Sequence, residues 1–561
     1  MSKKLIECVP NFSEGRDLNI IKQITDQIES VEGIKLLDVD PGKATNRTVV
    51  TFVGEPEQVV EAAFRGIKKA SELIDMTKHS GEHPRMGATD VCPFIPISNI
   101  TIEESVAYSK KLAEKVANEL NIPTFLYEHS ATKEDRRNLA TIRAGEYEGL
   151  EKKLQNPEWK PDYGNAVFNA KSGSTVFGVR DFLIAYNVNL NTKSVRKANS
   201  VAFDVREQGR IKRIGDPISG EIERDENGSP IRVEGSLKNV KAIGWFIDEY
   251  DTAQISMNLT NYKITSLHTA FEEVLKKADE RGIRVTGSEI VGMLPLEVML
   301  EAGRFYLQKQ GRSSGVSEKE LVNIAIRSMG LNELYKFDPD KKIIEYALKD
   351  SKQNPLINMN LSDFADETAS ESTAPGGGSI SAYVGALGIS LGAMVANISA
   401  NKKGWENKIA FMSEYAEQAQ SLKEKLLRKV DEDTLAFKKI MDSFALPKNT
   451  DIEKQNRLLA IQNATKNAIL VPFDVMKLCY ESMELIKVMV KEGNPNSITD
   501  GGVGALCART GVIGAFLNVK VNCKDLNDKE FVKNILEEAE NIANLAKEKE
   551  NEIIEIVNQK I

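Results

Sequence analysis

Histidine is scarce in this chain, four residues among 561, and tryptophan scarcer still at three. Cysteine is little commoner: five residues are widely scattered and no CxxC pair occurs, so neither a thiolate zinc site nor a disulfide framework is supported. A reducing compartment, the cytoplasm, is the expectation. A basic excess is also missing. Lys and Arg number 74 against 82 Asp and Glu, a net charge of -8, which argues against a nucleic-acid partner. Any anionic ligand has to be held by a local cluster of basic groups or by backbone N–H donors. The opening residues, MSKKLIECVPNFSEG, lack the apolar stretch of a secretory signal. One charge-free run, SISAYVGALGISLGAMVANIS at 379–399, approaches the ~20 apolar residues of a membrane span and carries Gly388-x-x-x-Gly392. Its serines and Asn397 dilute the hydrophobicity, and the expectation is a buried helix packed closely through Gly and Ala, with no membrane partner.

What is present describes an ordinary globular protein, 41% hydrophobic and 28% charged, too long for one core at ~150 residues per domain. The first 130 residues alternate in period. KLIECV reads as a strand, LNIIKQITDQIESV as an amphipathic helix, and IKLLDVD and NRTVVTFVG as two strands. PEQVVEAAFRGIKKASELI is a helix, TDVCPFIPI a strand, IEESVAYSKKLAEKVANEL a helix and IPTFLYEH a strand. With that extra helix set aside the order is βαββαβ, the ferredoxin-like arrangement. The order returns after residue 180, interrupted by the polar, turn-rich GDPISGEIERDENGSPIRVEG, expected as a surface loop or hairpin. From residue 295 the pattern is helical, and Pro472 is expected to kink or restart a helix. The fold class is therefore α+β, two ferredoxin-like subdomains followed by an all-α bundle. The boundaries are 1–181, 182–335, a linker at 336–358, and 359–561.

Two of the four histidines lie in KHSGEHPRMGATDVCPF, residues 78–94. His79 to His83 matches H-x-x-E-H, a zinc-protease spacing that works only on a helix. Gly81 within it and Pro84 after it oppose helix, since the residue before a proline is pushed out of α geometry. A zinc hydrolase using His79 and His83 is thus the rival reading, and no metal is expected. An imidazole in a loop beside Glu82, Arg85 and Asp90 suits proton transfer near neutral pH. His83 is favoured for that role, because Glu82, Pro84 and Arg85 fix its surroundings; His79 follows a helix end and reads as a cap.

ECVPNFSEGR, LLDVDPGKATNRTVVTFVG, LIDMTKHSGEHPRMGATDVCPFIPI and IRAGEYEGL resemble the glutamate formiminotransferase family. ASESTAPGGGSISA, VDEDTLAF and ITDGGVGALCARTGVIGAFLNVKVN resemble the formiminotetrahydrofolate cyclodeaminase family. Together they follow the order of the bifunctional formimidoyltransferase-cyclodeaminases over nearly the whole chain. The resemblance implies transfer of a formimino group from N-formimino-L-glutamate to tetrahydrofolate, followed by ring closure to 5,10-methenyltetrahydrofolate with loss of ammonia. It puts the transferase's catalytic histidine at His83 and the cyclodeaminase's catalytic aspartate at Asp433. It puts the folate-binding segment at Gly164, Asn165, Ala166, Val167, Phe168, Asn169, Ala170, Lys171, Ser172 and Gly173, where animal members are expected to carry Pro-Ser-Trp in place of Ala170-Lys171-Ser172. Arg47 and Arg85 are candidates for substrate carboxylates by type and location. Asp38 and Asp40 are candidates for orienting His83 or holding the pterin, or are turn residues before Pro41-Gly42. Asp500, before a Gly-rich helix start, is a second carboxylate candidate in the C-terminal half. Tetrahydrofolate, polyglutamated, is the implied co-substrate, and a homo-oligomer with dimer contacts in both halves the implied assembly. A folate-binding protein without turnover is the remaining alternative.

Overall fold

The computed structural model describes residues 4–43, 46–81, 84–216, 219–348 and 355–561. They divide into two compact units, Met1–Val285 with Ile290–Pro295, and Thr286–Glu289 with Leu296–Ile561.

The first unit opens with β1 (Leu5–Cys8) and β2 (Asn11–Phe12), one strand broken at Val9-Pro10, where proline removes a ladder donor. Both halves lie between β4 (Arg47–Gly54) and β5 (Thr89–Ser98), and β3 (Lys35–Gly42) forms the edge on β4. Beyond β5 the sheet continues in parallel with β7 (Thr175–Val179) and then β6 (Thr124–Glu128). The five residues of β7 are buried without alternation, so its TVFGV carries no period-2 signal and the sequence reading omits it. Helices α1 (Leu18–Glu29), α2 (Pro56–Leu73) and α3 (Ile102–Leu120) start at an Asp17 cap, at Pro56 in the first turn and at a Thr101/Glu104 capping box. Their apolar stripes cover Ile6, Cys8, Phe12, Val50, Phe52 and Phe94. On the opposite face the short helices Leu139–Arg143 and Leu150–Leu154 cover Val91, Phe125, Tyr127 and Val176. This cover stops short of β3 and β4, whose Asp38, Asp40 and Arg47 stand on that face.

After β8 (Ile184–Leu190) and α4 (Val195–Val205) the predicted insertion forms two small ladders. β9 (Arg210–Ile211) pairs with β12 (Arg232–Val233), and β10 (Arg213–Ile214) with β11 (Glu221–Ile222). β13 (Val240–Ile247), β14 (Thr252–Leu259), α5 (Leu267–Asp279) and β15 (Val285–Val291) complete a four-stranded sheet ordered β13-β14-β8-β15.

The second unit contains α6 (Leu296–Lys309), α7 (Glu318–Ser328) and the bundle helices α8 (Gly377–Ala400), α9 (Ile409–Phe444), α10 (Asp451–Glu492), α11 (Ile498–Asn522) and α12 (Lys529–Lys560). Residues 349–354 of the expected linker lie outside the described residues. α10 runs through Pro472 as one helix, so the expected restart does not occur. The buried neighbours Ala468, Val471, Phe473 and Val475 hold the turn despite the missing N–H. α8 and α11 are long and apolar enough to cross a membrane by composition, but 61% and 50% of the qualifying stretches are buried within the bundle. α8 packs against α9, α10 and α11. Asn397, anomalous in so apolar a helix, exchanges hydrogen bonds with the 313–315 turn: Ser313 Oγ donates to its Oδ1 at 2.7 Å, and its Nδ2 donates to Gly315 O at 2.8 Å.

Glycine sets the α8–α11 approach. A Cβ on Gly388 would stand 2.8 Å from Gly504 O and 2.9 Å from Ala508 N, both backbone. Gly388→Val is therefore expected to destabilise the bundle by about 1–3 kcal/mol, as overpacking does. The check is denaturant unfolding followed by far-UV circular dichroism, and an unchanged midpoint would refute the close packing.

Candidate functional site

Glu82 and His83 lie outside the described residues; the chain on either side is held by three distant stretches. Past β2, Ser13 Oγ donates to Gly87 O at 2.7 Å while Ser13 N donates to Ala88 O at 2.9 Å. Gly15 is required there, because a Cβ would stand 2.3 Å from Gly42 O. Asn46 adopts φ of 47°, a left-handed geometry that Asn tolerates. Its Oδ1 accepts from Gly15 N at 3.0 Å and its Nδ2 donates to Ser80 O at 3.0 Å. The third stretch is IRAGEYEGL: Tyr147 N donates to Arg85 O at 2.8 Å.

His79 does more than follow a helix end. Arg85 Nε donates to its Nδ1 at 3.2 Å, and its Nε2 lies 2.9 Å from Asn46 O. An arginine can only donate, so Nδ1 accepts, Nε2 carries the proton and the ring is neutral. Burial holds its pKa below the ordinary value, the nearby Arg85 charge adding to this and the Asn46 carbonyl opposing it. With both nitrogens engaged by protein groups, His79 offers no lone pair to zinc in this arrangement.

Arg85 is buried and binds two carboxylates. Its Nη1 reaches Glu146 Oε2 at 3.0 Å and Glu148 Oε2 at 2.9 Å, and its Nη2 reaches Glu148 Oε1 at 2.6 Å. As found, its guanidinium is occupied by protein and positions the loop rather than facing a substrate carboxylate. Asp90, completely buried, pairs with Arg143 and accepts from Met86 N at 3.1 Å. Arg47, half-buried, donates to Asn11 Oδ1, and burial lowers its pKa. Asp38 and Asp40 pair across the ladder with Thr51 and Val49. Both are exposed strand residues on one face, so they are not turn residues; β3 runs on through Pro41-Gly42.

The C-terminal end of the 164–173 segment lies against the histidine segment. A Gly87–Gly173 bridge joins them, with Ala88 N donating to Ser172 O at 2.9 Å and Met76 N to Lys171 O at 2.9 Å. Gly173 has φ of 66°, and a Cβ there would be 2.1 Å from Met86 O. Tyr147 packs against Phe168 with ring centroids 5.5 Å apart and planes tilted by 45°, and donates to Ala170 O at 2.5 Å. Gly164, Asn165, Ala166 and Val167 are exposed. Asn169 Nδ2 donates to Asn121 O at 3.2 Å, and Lys171 Nζ to Glu72 O at 2.7 Å.

Glu7, which sequence reasoning missed, stands on the face away from α1 and α2, opposite Val53 and Ile95. Burial pushes its carboxyl from the ordinary 4.5 to about 7, with the Arg180 charge opposing. Since the folded state binds the proton more tightly, this stability is full below pH 4.5 and lost as pH rises through about 7. Glu7→Gln is expected to remove that fall, making the variant the more stable protein at pH 8. Thermal unfolding across pH 4.5–8 checks it, and parallel curves would refute it.

In the second unit Asp433 and Asp431 project differently from α9. Asp431 is buried and its carboxylate accepts from Leu356 N at 3.0 Å and Ile357 N at 3.4 Å, anchoring the entering chain. Asp433 meets the start of α8, where Ser379 Oγ lies 3.1 Å from its Oδ2 and 2.9 Å from Val430 O. A Cβ on Gly378 would fall 2.2 Å from Asp433 Oδ1, so APGGGS leaves room for this carboxyl. Burial raises its pKa, against the lowering effect of the Ser379 bonds. Asp500 lies in the first turn of α11, whereas Asn518, 18 residues on, is the α11 side chain nearest Gly377. At ~1.5 Å per residue Asp500 is about 27 Å along the helix from that end, and the fold does not join it to Asp433. Ser379 and the Glu146/Glu148 pair were also missed, although GEYEG, two carboxylates flanking a tyrosine between glycines, was a visible signal.

Three family models match the chain: "Formiminotransferase domain, N-terminal subdomain" over residues 5–180, "Formiminotransferase domain" over 185–349 and "Formiminotransferase-cyclodeaminase" over 360–541. The formimidoyltransferase-cyclodeaminase of Dictyostelium discoideum is 43% identical, covering 99% of both chains. The glutamate formimidoyltransferase of Streptococcus pyogenes is 42% identical over 54% of this chain and 94% of its own. The methenyltetrahydrofolate cyclohydrolase of Methylorubrum extorquens is 36% identical over 36% of this chain and 98% of its own.

Proposed function

We infer the residue roles below from one premise: the chain belongs to the formimidoyltransferase-cyclodeaminase family. It is a bifunctional enzyme that moves the formimino group of N-formimino-L-glutamate to tetrahydrofolate and then cyclises the product to 5,10-methenyltetrahydrofolate with release of ammonia.

In the transfer, N5 of tetrahydrofolate attacks the amidine carbon, the N5 proton leaves, and the departing glutamate nitrogen gains a proton. His83 serves as the base and then the acid. The observation that carries this is the Gly87–Gly173 contact, which lays the C-terminal end of the 164–173 folate segment along the chain that continues from His83. That segment receives the pterin; Arg47 and, after release from Glu146 and Glu148, Arg85 are the carboxylate-binding candidates, with Asp38 and Asp40 on the exposed face for the pterin amino groups. In the second reaction N10 attacks the formimino carbon and ammonia departs only once its nitrogen is protonated. Asp433 delivers that proton, and its raised pKa supports the role, since a protonated carboxyl persists to higher pH.

The reading extends to a role in histidine breakdown, a cytoplasmic location, a polyglutamated co-substrate and a homo-oligomer with contacts in both halves. It also takes each α/β sheet as ferredoxin-like, for which the β13-β14-β8-β15 order is the support. The domain boundaries are 1–181, 182–335 and 359–561. No step requires a metal: stoichiometric zinc in the purified protein, lost on His83→Ala, would return the hydrolase reading. Ammonia release from formiminoglutamate plus tetrahydrofolate is the direct test, since a folate-binding protein without turnover gives none.

A further inference from the structure

In a chain of net charge -8, five arginines converge on one cavity outside both sites. Arg196 and Phe203 come from α4, Arg206 from its C-terminal cap, Arg210 from β9, Arg213 from β10 and Arg232 from β12. The cavity has a volume of 390 Å³, within the range of about 300–1,000 Å³ typical of small-molecule sites. Phe203 and Ile211 give it an apolar wall.

The charges are not balanced internally. Among the described residues, one carboxylate lies at ion-pair distance from the five: Asp204, 3.0 Å from Arg210 Nε and shared with Arg281. Arg206 Nε donates to Gly209 O at 2.9 Å and its guanidinium lies 3.9 Å from the Phe203 ring centroid. Arg213 Nη1 donates to Gly220 O at 2.7 Å. These carbonyls orient the guanidinium groups without neutralising them. Arg210 Nη1 is buried with no hydrogen-bond partner, an uncompensated donor that costs free energy. Burial lowers the pKa of Arg206, and Arg232 stands close enough for its charge to lower it further. Like charges are brought together here by an insertion whose two ladders fold over α4.

We propose that this cavity is a binding site for a small organic polyphosphate, with Arg196, Arg206, Arg210, Arg213 and Arg232 as its anion contacts and Phe203 and Ile211 against its organic body. Phosphoryl groups fit better than carboxylates because each brings up to two negative charges and three acceptor oxygens. That density matches several guanidinium groups around one compact volume, and Arg binds phosphate through paired N–H donors. The folate segment, Asp433 and the histidine segment contribute nothing to the cavity wall, so the site is separate from those assigned to catalysis.

The test is calorimetric titration of the full-length protein with ATP and with inorganic pyrophosphate, at 50 and 200 mM salt, alongside citrate and penta-γ-glutamate. The probes bind wild type, ATP the more tightly through its organic body, and both weaken with salt. In Arg196→Gln/Arg232→Gln both lose at least tenfold, while transferase and cyclodeaminase rates measured without the anions stay unchanged. Arg196→Gln alone, on an exposed helix position, gives a partial loss if the double variant folds poorly. Absence of binding by both phosphates at 50 mM salt overturns the proposal, as does undiminished affinity in the variants. Tighter binding of pyrophosphate than ATP removes the organic component, and tighter binding of penta-γ-glutamate than either overturns it by making the cavity a subsite for folate tails.

Discussion

His83→Ala is expected to lower formimino transfer by about 10²- to 10⁴-fold, the usual contribution of a positioned acid–base group, while cyclodeamination of supplied 5-formiminotetrahydrofolate continues at the wild-type rate. The size follows from what the chemistry asks of one group. The N5 proton must leave as that nitrogen attacks, and the glutamate nitrogen is a poor leaving group until protonated, so removing a single imidazole with both proposed duties removes both at once. His79 cannot substitute. Its Nδ1 accepts from Arg85 and its proton is directed to Asn46 O, which leaves neither a free base nor a free acid. His79→Gln is accordingly expected to weaken transfer through loop placement, with the pH profile of kcat/KM unmoved, whereas in His83→Ala the limb assigned to imidazole ionisation disappears. Formiminoglutamate-dependent release of glutamate, measured from pH 5.5 to 9, checks both. Equal loss of the two activities in His83→Ala would contradict separate sites.

Asp433→Asn is expected to give the reverse pattern, cyclodeaminase activity falling by about 10²- to 10⁴-fold with transfer intact, so that 5-formiminotetrahydrofolate accumulates. The carboxyl is half-buried at the start of α8, and its pKa is raised by burial. A raised folded-state pKa means that the charged form costs stability: the contribution is full at low pH and lost as pH rises through the folded value. Asparagine cannot ionise and keeps the Ser379 contact, so the dead variant is expected to melt at the same temperature as wild type or higher at pH 8. Activity and stability thus separate in opposite directions, which a misfolded variant cannot imitate. A lower melting temperature together with lost activity would assign Asp433 a structural role. Mixing the two single variants should restore ammonia release if the intermediate passes through solution or between subunits.

Elements with strong periodicity were legible in the sequence. The stripes of α1, α2 and α3, and the alternation of β4, announce themselves because each element buries one face against one layer. β7 was not legible: buried on both faces, it has no contrast to read. The restart at Pro472 fails for a related reason, since local rules count the lost N–H but not the packing of Val471, Phe473 and Val475 that holds the turn. In the candidate site, residue types suggested proton transfer at 79–90, the role proposed above, but not the wiring. That Arg85 would turn inward to Glu146 and Glu148, rather than outward, depends on partners 61 and 63 positions along the chain, a separation no local pattern encodes. Asp431 and Asp433 were distinguishable as pointing apart, yet only packing reveals that the first ties down residues 356–357 and the second faces Gly378.

Asn46 has a kinetic corollary. It touches the N-terminal turn through Gly15, the loop through Ser80 and the imidazole of His79 through its own carbonyl, contacts that close only after β2 and β4 have paired. The proposed transfer centre is therefore a late product of assembly, and a chain refolding from denaturant should regain helical signal well before it regains turnover. Ligand added during that interval would find the scaffold but no catalyst.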